Sequence, residues 1–135
     1  MAETATMVTG LRQVALPVSD VDEAVAFYRD VLGLRHIATF GGLAFFDVGG
    51  VRLLLELAED PEPVDEHVLY LAVDDIHAAH AELQGRGTTF VDDPHVIFTD
   101  EQGTFGTAGE AEWMTFFRDP DGNLLALSSR EQAAE

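Results

Sequence analysis

An internal repeat restricts the fold of this chain more than any other feature of its sequence. Residues 11–18 form a short apolar run that predicts a strand. Asp20 follows as a helix N-cap, with Glu23 placed as in a capping box. Apolar residues then recur at helical spacing until Gly33, which ends the predicted helix. Three strand-like runs come next, separated by glycine pairs that are typical of hairpin turns: residues 35–40, 43–48 and 51–57.

The second half repeats this order of elements. Residues 68–73 predict a strand, and an amphipathic helix follows that ends at Gly85 or Gly87. The remaining predicted strands are short and bounded by turn residues: 89–91, 112–118 and 123–128, with a weaker strand-like run at 95–98. An Asp-Pro-Asp-Gly-Asn sequence at 119–123 predicts the turn between the last two. Each half is therefore a predicted βαβββ module, and the fold class is α+β with two tandem modules.

Composition divides the chain into two modules and a linker. The first module is predicted at residues 10–58 and the second at 67–130. Residues 59–66 are acidic and contain two prolines, which is typical of a linker. Residues 1–9 and 131–135 are predicted to be disordered tails.

The polar, glycine-rich stretch at residues 99–109 lies inside the second module. A loop of this length within a compact module is often a lid or a binding loop. The alternative is a plain surface insertion, and the sequence does not decide between the two.

The charge of the chain excludes several classes of partner. Its formal net charge is −18, and its seven Lys and Arg residues are scattered, so we expect neither nucleic acid nor an anionic membrane as a partner. The absence of cysteine excludes a disulfide framework and a thiolate zinc site. No apolar run approaches the roughly 20 residues of a membrane span, and no signal-peptide pattern is present. We therefore expect a cytoplasmic protein.

Three segments resemble signatures of the vicinal-oxygen-chelate superfamily, which includes glyoxalases, dioxygenases and bleomycin resistance proteins. They are residues 13–20, 26–34 and 117–123, and the resemblance extends over about residues 10–130. It implies that the sheets of the two modules curl around a cleft that binds a small molecule. It also implies a homodimer, and some members of the superfamily build each cleft from two chains.

The resemblance also implies positions for a divalent metal. Catalytic members hold the ion with four side chains, one from the first and one from the last strand of each module. These positions fall on Gln13, Glu56, Val68 and Ala126. The alternation of side chains along the strand predicts that His67 points to the helix-facing side. Only a β-bulge, or binding from the end of the strand, would bring it to the ion. Gln13, Glu56 and His67 are thus the candidate metal ligands.

Ala126 stands where active members carry a glutamate, which in glyoxalase-type enzymes also transfers a proton. Alanine can neither bind a metal nor move a proton. We therefore expect no intact four-ligand centre and no true glyoxalase I activity.

Two other residues are candidates for proton transfer. Glu56 is a carboxylate within an apolar strand, and such a group needs a partner or a role. His95 follows a proline near the start of a predicted strand and is a candidate acid or base. The alternative for His95 is a partly buried histidine whose hydrogen bonds are satisfied by its neighbours.

Aromatic residues supply candidate walls for a cleft. Tyr70 has the parity of Val68 and is expected to face the cleft. Trp113 and Phe116 lie on opposite faces of one strand, and either could provide a second flat wall. Together with Gln13, these three aromatic residues form the predicted ligand-binding set.

These features predict a superfamily protein that binds or acts on a small organic molecule without an intact four-ligand metal centre. One alternative is a metal-free antibiotic-binding protein of the bleomycin-resistance type, since an acidic cleft attracts cationic ligands. A second alternative is a metal-dependent lyase or isomerase that uses Gln13, Glu56 and His67. A dioxygenase-type reaction and the absence of catalysis both stay open, and the cofactor is either a divalent metal or none.

Overall fold

Each half of the chain forms one four-stranded mixed sheet with a helix packed on one face. The computed structural model describes residues 7–63 and 68–132. The elements of the first module are β1 (Gln13–Val18), α1 (Val21–Val25, continued by a π-helical segment at Ala26–Val31), β2 (Arg35–Phe40), β3 (Leu43–Val48) and β4 (Val51–Leu57). Those of the second are β5 (Leu69–Ala72), α2 (Ile76–Gly85), β6 (His95–Asp100), β7 (Glu110–Arg118) and β8 (Leu124–Gln132).

The two sheets have the same topology. Their strand orders are β1-β4-β3-β2 and β5-β8-β7-β6. The first strand of each module pairs in parallel with the last, and the other pairs are antiparallel. The predicted α+β fold of tandem βαβββ modules is confirmed, and both sheets stay open at their edges.

Local signals located three strands of the first module to the residue, at 35–40, 43–48 and 51–57, whereas β1 begins at Gln13 and not at residue 11. Asp20 and Asp75 cap the two helices by accepting backbone N–H groups of the first turn. In the second module β7 and β8 are longer than predicted and pair as far as Glu110 and Gln132. Arg130 on β8 forms ion pairs with glutamates of β7, which supports this extension.

The strand predicted at 89–91 is wrong, because only Phe90 forms a single bridge, to Phe117. The carboxylate of Asp92 accepts a hydrogen bond from the Phe116 N–H at 2.8 Å. A side-chain oxygen therefore replaces the backbone carbonyl that a continuing strand would offer to this N–H.

The two modules share one hydrophobic core, which forms between their helix-facing sides. Its largest buried members come from both halves: Tyr28, Phe46, Leu55, Ile76, Phe117 and Leu125. The rings of Phe27 and Phe117 meet across the junction at 6.5 Å. Since the helix-facing side of each sheet is used in this core, the other side of each sheet faces outward.

The Asp-Pro-Asp-Gly-Asn turn links the two modules through buried hydrogen bonds. Asp119 is 5% exposed, and it accepts the hydroxyl of Tyr28 at 2.7 Å and the side-chain amide of Asn123 at 2.9 Å. Asn123 also donates to the carbonyl of Pro17 in the first module at 3.0 Å. Burial, and secondly the Asp119 carboxylate, raise the pKa of Tyr28 far above its ordinary value, so its hydroxyl stays a donor.

No helix in the described ranges is long and apolar enough to cross a membrane.

Candidate functional site

The outward side of the first sheet, called here the first-module open face, consists of three cross-strand rows. Strand pairing defines each row from β1 to β2, and residues of one row point to the same side. The rows are Gln13–Arg52–Asp47–Arg35, Ala15–Leu54–Phe45–Ala38 and Pro17–Glu56–Leu43–Phe40.

The row that begins with Gln13 is polar and internally paired. Gln13 Oε1 accepts a hydrogen bond from Arg52 Nε at 2.9 Å. The guanidinium carbon of Arg52 also lies 5.8 Å from the centroid of the Phe45 ring, within the range of a cation–π contact. Asp47 lies 3.8 Å from the guanidinium of Arg35 at the edge of the sheet. Gln13 is therefore engaged by a cationic neighbour.

The structure does not bring Gln13 and Glu56 together. The register pairs Gln13 with Arg52 and Pro17 with Glu56, so the two predicted ligands are separated by four residues along the sheet. At about 3.3 Å per residue this distance is roughly 13 Å, too far for both to bind one ion. The two residues share a face, as predicted, but they occupy opposite ends of it.

The remaining predicted metal positions do not complete a donor set. His67 lies outside the described residues, and Ala126 has no donor atom. Within residues 7–63 and 68–132 no group of three or more His, Cys, Asp or Glu side chains is arranged to hold a metal ion. The guanidinium beside Gln13 would also repel a cation placed there. The residues that the structure describes thus do not fit the divalent metal that the resemblance implies.

The outward side of the second sheet, called here the second-module open face, also consists of rows. From β5 toward β6 they are Tyr70–Ala126–Phe116, Ala72–Ser128–Met114–His95 and, without a β5 member, Arg130–Glu112–Phe98. A depression of about 460 Å³ opens on this face, lined by Tyr70, Ala72, Val73, Asp74, Glu112, Ser128, Ser129 and Arg130.

An aromatic pair flanks Ala126, the fourth position that the resemblance implies for a metal ligand. Tyr70 and Phe116 flank Ala126 in one row, and their rings meet edge to face at 6.3 Å. Ala126 is 0% exposed beneath them, whereas Tyr70 is 55% exposed. The second-module open face therefore presents one accessible aromatic ring, that of Tyr70, with a hydroxyl at its edge.

Trp113 does not contribute to this surface. It lies on the helix-facing side of β7, where its ring contacts His77 of α2 at 4.7 Å. Side chains of a strand alternate between the two sides, so of the two aromatic residues considered on β7, Phe116 is the one beside Tyr70. The expectation that Trp113 lines the cleft is therefore corrected.

His95 stands at the edge of the second-module open face, in the row of Met114 and Ser128. Its Nδ1 lies 2.8 Å from the carbonyl of Asp93. A carbonyl only accepts, so Nδ1 carries the hydrogen and Nε2 of the neutral ring is left as an acceptor. Glu56, the other predicted acid or base, lies on the open face of the other module, so one chain does not place the two groups in one site.

Two groups of functional interest were missed from the sequence. Arg52 lies on the same side of β4 as Glu56, because the two residues are an even number of positions apart. Its place in an otherwise apolar strand is the signal that could have identified it. On β8, Arg130 contacts three carboxylates, those of Asp100, Glu110 and Glu112. No local sequence signal predicts that network, because its members come from three strands.

The stretch at 99–109 is held against the second module through Asp100. Its carboxylate accepts the backbone N–H groups of Thr104 and Phe105 at 2.7 and 2.9 Å and pairs with Arg130 at 2.8 Å. Hydrogen bonds from these N–H groups, with Phe105 the strongest, and from Arg130 lower the pKa of Asp100. A role of this loop as a lid or binding loop stays a prediction.

The two open faces do not meet within one chain. Five surface depressions, formed by the described residues, range from about 250 to 540 Å³, and none of these five joins Gln13 or Glu56 to Tyr70 or Ala126.

Comparison with known proteins gives consistent matches. The family model described as Glyoxalase/Bleomycin resistance protein/Dioxygenase superfamily matches residues 10–127. Metallothiol transferase FosB of Shouchella clausii (strain KSM-K16) is 28% identical over 121 residues, which cover 90% of this chain and 80% of that protein.

Solved structures are similar over nearly the whole chain. A putative glyoxalase family protein from Bacillus anthracis matches with a TM-score of 0.72 and 18% identity, covering 95% of this chain and 100% of that one. Lactoylglutathione lyase from Agrobacterium tumefaciens matches with a TM-score of 0.68 and 24% identity, covering 92% and 96%. At these identities the similarity shows the fold alone.

Proposed function

Because this chain belongs to the glyoxalase/bleomycin resistance protein/dioxygenase superfamily, we propose that it binds a small organic molecule without a metal at the superfamily's usual position. The observation that carries this proposal is the row Tyr70–Ala126–Phe116. An aromatic pair there covers the alanine that replaces the expected glutamate. A planar apolar group of a ligand can pack on the exposed Tyr70 ring, which is the kind of surface that binding pockets use.

The proposed cleft forms between two copies of the chain in a homodimer. The first-module open face of one copy would meet the second-module open face of the other, and two-fold symmetry gives two such clefts. Both faces carry exposed apolar side chains that a second copy would cover, among them Phe40 at 67% exposure and Tyr70 at 55%. In this arrangement each cleft would contain Glu56 of one copy and His95 of the partner subunit, which offers a metal-free acid and base for catalysis.

Hybrid dimers test this arrangement sharply. Arg52→Gln alters only the first-module open face, and Phe116→Ala alters only the second. A dimer of one Arg52→Gln chain and one Phe116→Ala chain contains one unaltered cleft and one doubly altered cleft.

The experiment first screens planar organic molecules by thermal shift on the wild-type protein and then titrates the strongest binder. We expect two binding sites per wild-type dimer and one high-affinity site per hybrid dimer. A monomer by light scattering at micromolar concentration, or a hybrid with no high-affinity site, would contradict the two-chain cleft. A screen in which no planar molecule stabilises the protein would contradict the binding proposal itself.

A metal-dependent enzyme is the second candidate, and the similarity to a protein named as a metallothiol transferase favours it. Because Gln13 and Glu56 lie too far apart to share an ion, only one of them would bind it together with His67, and this version, as a lyase, an isomerase or a transferase, requires further ligands. Elemental analysis after loading with Mn, Ni, Zn and Fe separates the candidates. About one ion per chain supports the enzyme, and less than about a tenth supports the metal-free protein.

An antibiotic-binding protein of the bleomycin-resistance type is a narrower version of the first proposal. It predicts that cationic ligands bind best, because the chain carries a net charge of −18. The charge of the molecules that the screen selects tests this version directly.

A further inference from the structure

The first-module open face holds an ordered arginine whose chemical task the proposal above leaves undefined. Arg52 is exposed, and two neighbours restrain its planar group. Gln13 accepts from Nε at 2.9 Å, and the Phe45 ring lies 5.8 Å below the guanidinium carbon. The terminal nitrogens Nη1 and Nη2 have no hydrogen-bond partner among the described residues. A guanidinium held from one edge and one face presents its other edge to a ligand in a defined orientation.

The Arg52–Gln13 pair presents mainly donors. The guanidinium of Arg52 can only donate, and Gln13 uses its carbonyl oxygen toward Arg52, which leaves its NH₂ group to donate outward. A carboxylate accepts two parallel hydrogen bonds from such an edge, whereas a cation finds no ligand there and is repelled. The chemistry of the pair therefore selects a planar anion.

The surrounding charges preserve this selectivity in a strongly acidic chain. Arg12 and Arg52 line a depression of about 540 Å³ at this end of the sheet, and Asp47 is the carboxylate among its lining residues. Asp47 is itself occupied, since it lies 3.8 Å from Arg35 and accepts the Gly50 N–H at 3.2 Å.

Glu56 is too distant to cancel this local positive charge. It lies roughly 13 Å from Arg52 along β4, beyond the screening length of physiological salt.

We infer that Arg52, positioned by Gln13, binds the carboxylate of the small-molecule ligand, so that the cleft selects planar carboxylates over neutral and cationic molecules. This inference rests on the proposed function, since it names the ligand class of the same cleft. It opposes the antibiotic-binding version, which requires cationic ligands. It also gives Gln13 a role as a positioning residue instead of a metal ligand.

Three probes of nearly equal shape test the inference: benzoate, benzamide and benzamidine, which are anionic, neutral and cationic. Their dissociation constants are measured by NMR titration, with the Arg52 Nε–H resonance as the local readout. We expect benzoate to shift this resonance saturably and to bind about tenfold more tightly than benzamide, with benzamidine weakest. Inorganic phosphate is titrated in parallel, and we expect a weaker response because it lacks the ring.

Variants then assign the effect to Arg52. Arg52→Gln should remove the preference for benzoate over benzamide, and Gln13→Ala should reduce it a few-fold. Arg29→Gln removes an exposed arginine that pairs with Asp30 on the first helix, so it should leave the preference unchanged. An unchanged preference in Arg52→Gln, tighter binding of benzamidine, an equal response to phosphate or no response to benzoate would each overturn the inference.

Phe116→Ala separates this inference from the proposed function. If that variant weakens benzoate and benzamide alike while Arg52→Gln leaves their ratio unchanged, the cleft stands and the carboxylate site fails. If Arg52→Gln removes the preference while Phe116→Ala has no effect, the carboxylate site stands and the proposed cleft fails.

Discussion

The two open faces share one topology but carry different chemistry. The first strands align on the helix caps Asp20 and Asp75, so Gln13 corresponds to Val68. Through the strand pairing, Arg52 then corresponds to Leu124, so polar, charged groups in one module correspond to apolar residues in the other. A repeated module thus fixes where outward-pointing residues lie in each sheet, and it leaves their identity free. The difference teaches that one half can serve ligand orientation through charge while the other serves packing through aromatic area.

The largest expected effect concerns the junction that keeps the two faces on opposite sides of the molecule. Asp119→Ala removes the buried acceptor of Tyr28 and Asn123, so we expect a loss of about 3 kcal/mol in the free energy of unfolding. Urea denaturation measures it. Asp121→Ala is the matched control, because Asp121 accepts an exposed N–H from Ser19 and should cost less than about 1 kcal/mol. Equal losses of unfolding free energy in the two variants would show that the buried hydrogen bonds of Asp119 do not stabilise the junction between the modules.

A carboxylate introduced on each face tests the contrast between them. Ala126→Glu places a charge beneath the Tyr70 and Phe116 rings, and we expect a cost of about 2 kcal/mol in unfolding free energy. Ala15→Glu places the same group on the exposed first face and should cost less than about 0.5 kcal/mol. Burial raises the pKa of a carboxyl introduced at position 126, so its cost should be larger at pH 8 than at pH 4. Similar losses of unfolding free energy at positions 126 and 15 would show that the two faces do not differ in how they accommodate a carboxylate.

Exposed aromatic residues test whether the two faces meet across a dimer. Phe40→Ala and Tyr70→Ala each remove a largely exposed ring, so the stability of the single chain should change by less than about 1 kcal/mol. The dimer dissociation constant should rise about tenfold in each, because either ring would be covered by the partner. Analytical ultracentrifugation gives both constants. An effect in only one variant would show that the faces do not meet each other.

The smallest expected effect is a local acid transition on the second face. The pKa of Asp100 is lowered in the folded state, so its stabilising contribution is complete above the ordinary aspartate value of 3.8 and is lost as the pH falls through the lower folded value. We expect the amide resonances of Thr104 and Phe105 to titrate together with a midpoint below 3.8, whereas that of Gly87, which follows α2, stays constant. A midpoint at or above 3.8 would contradict the proposed anchoring of the loop.

Local sequence signals predicted most elements but not the relation between them. Glycine pairs and alternating apolar residues gave β2, β3 and β4 to the residue, and Asp20 was identified as a cap. The register of β1 on β4 was not predictable, because it depends on how the helix packs beneath both strands. That register determines that Arg52, and not Glu56, accompanies Gln13. Parity placed Phe116 and Trp113 on opposite sides of their strand, but which of the two lies beside Tyr70 needed coordinates.

The turn at 119–123 has a consequence for recognising distant relatives of this chain. Its side chains form hydrogen bonds with Tyr28, with Ser19 and with the backbone carbonyl of Pro17 in the other half. A sequence search with the Asp-Pro-Asp-Gly-Asn motif is therefore expected to find proteins whose two modules are joined by the same hydrogen bonds. It does not select for the reaction or the ligand of those proteins. Two chains that share this turn can bind different ligands. The side chains in the cross-strand rows of the two open faces determine which ligand each one binds.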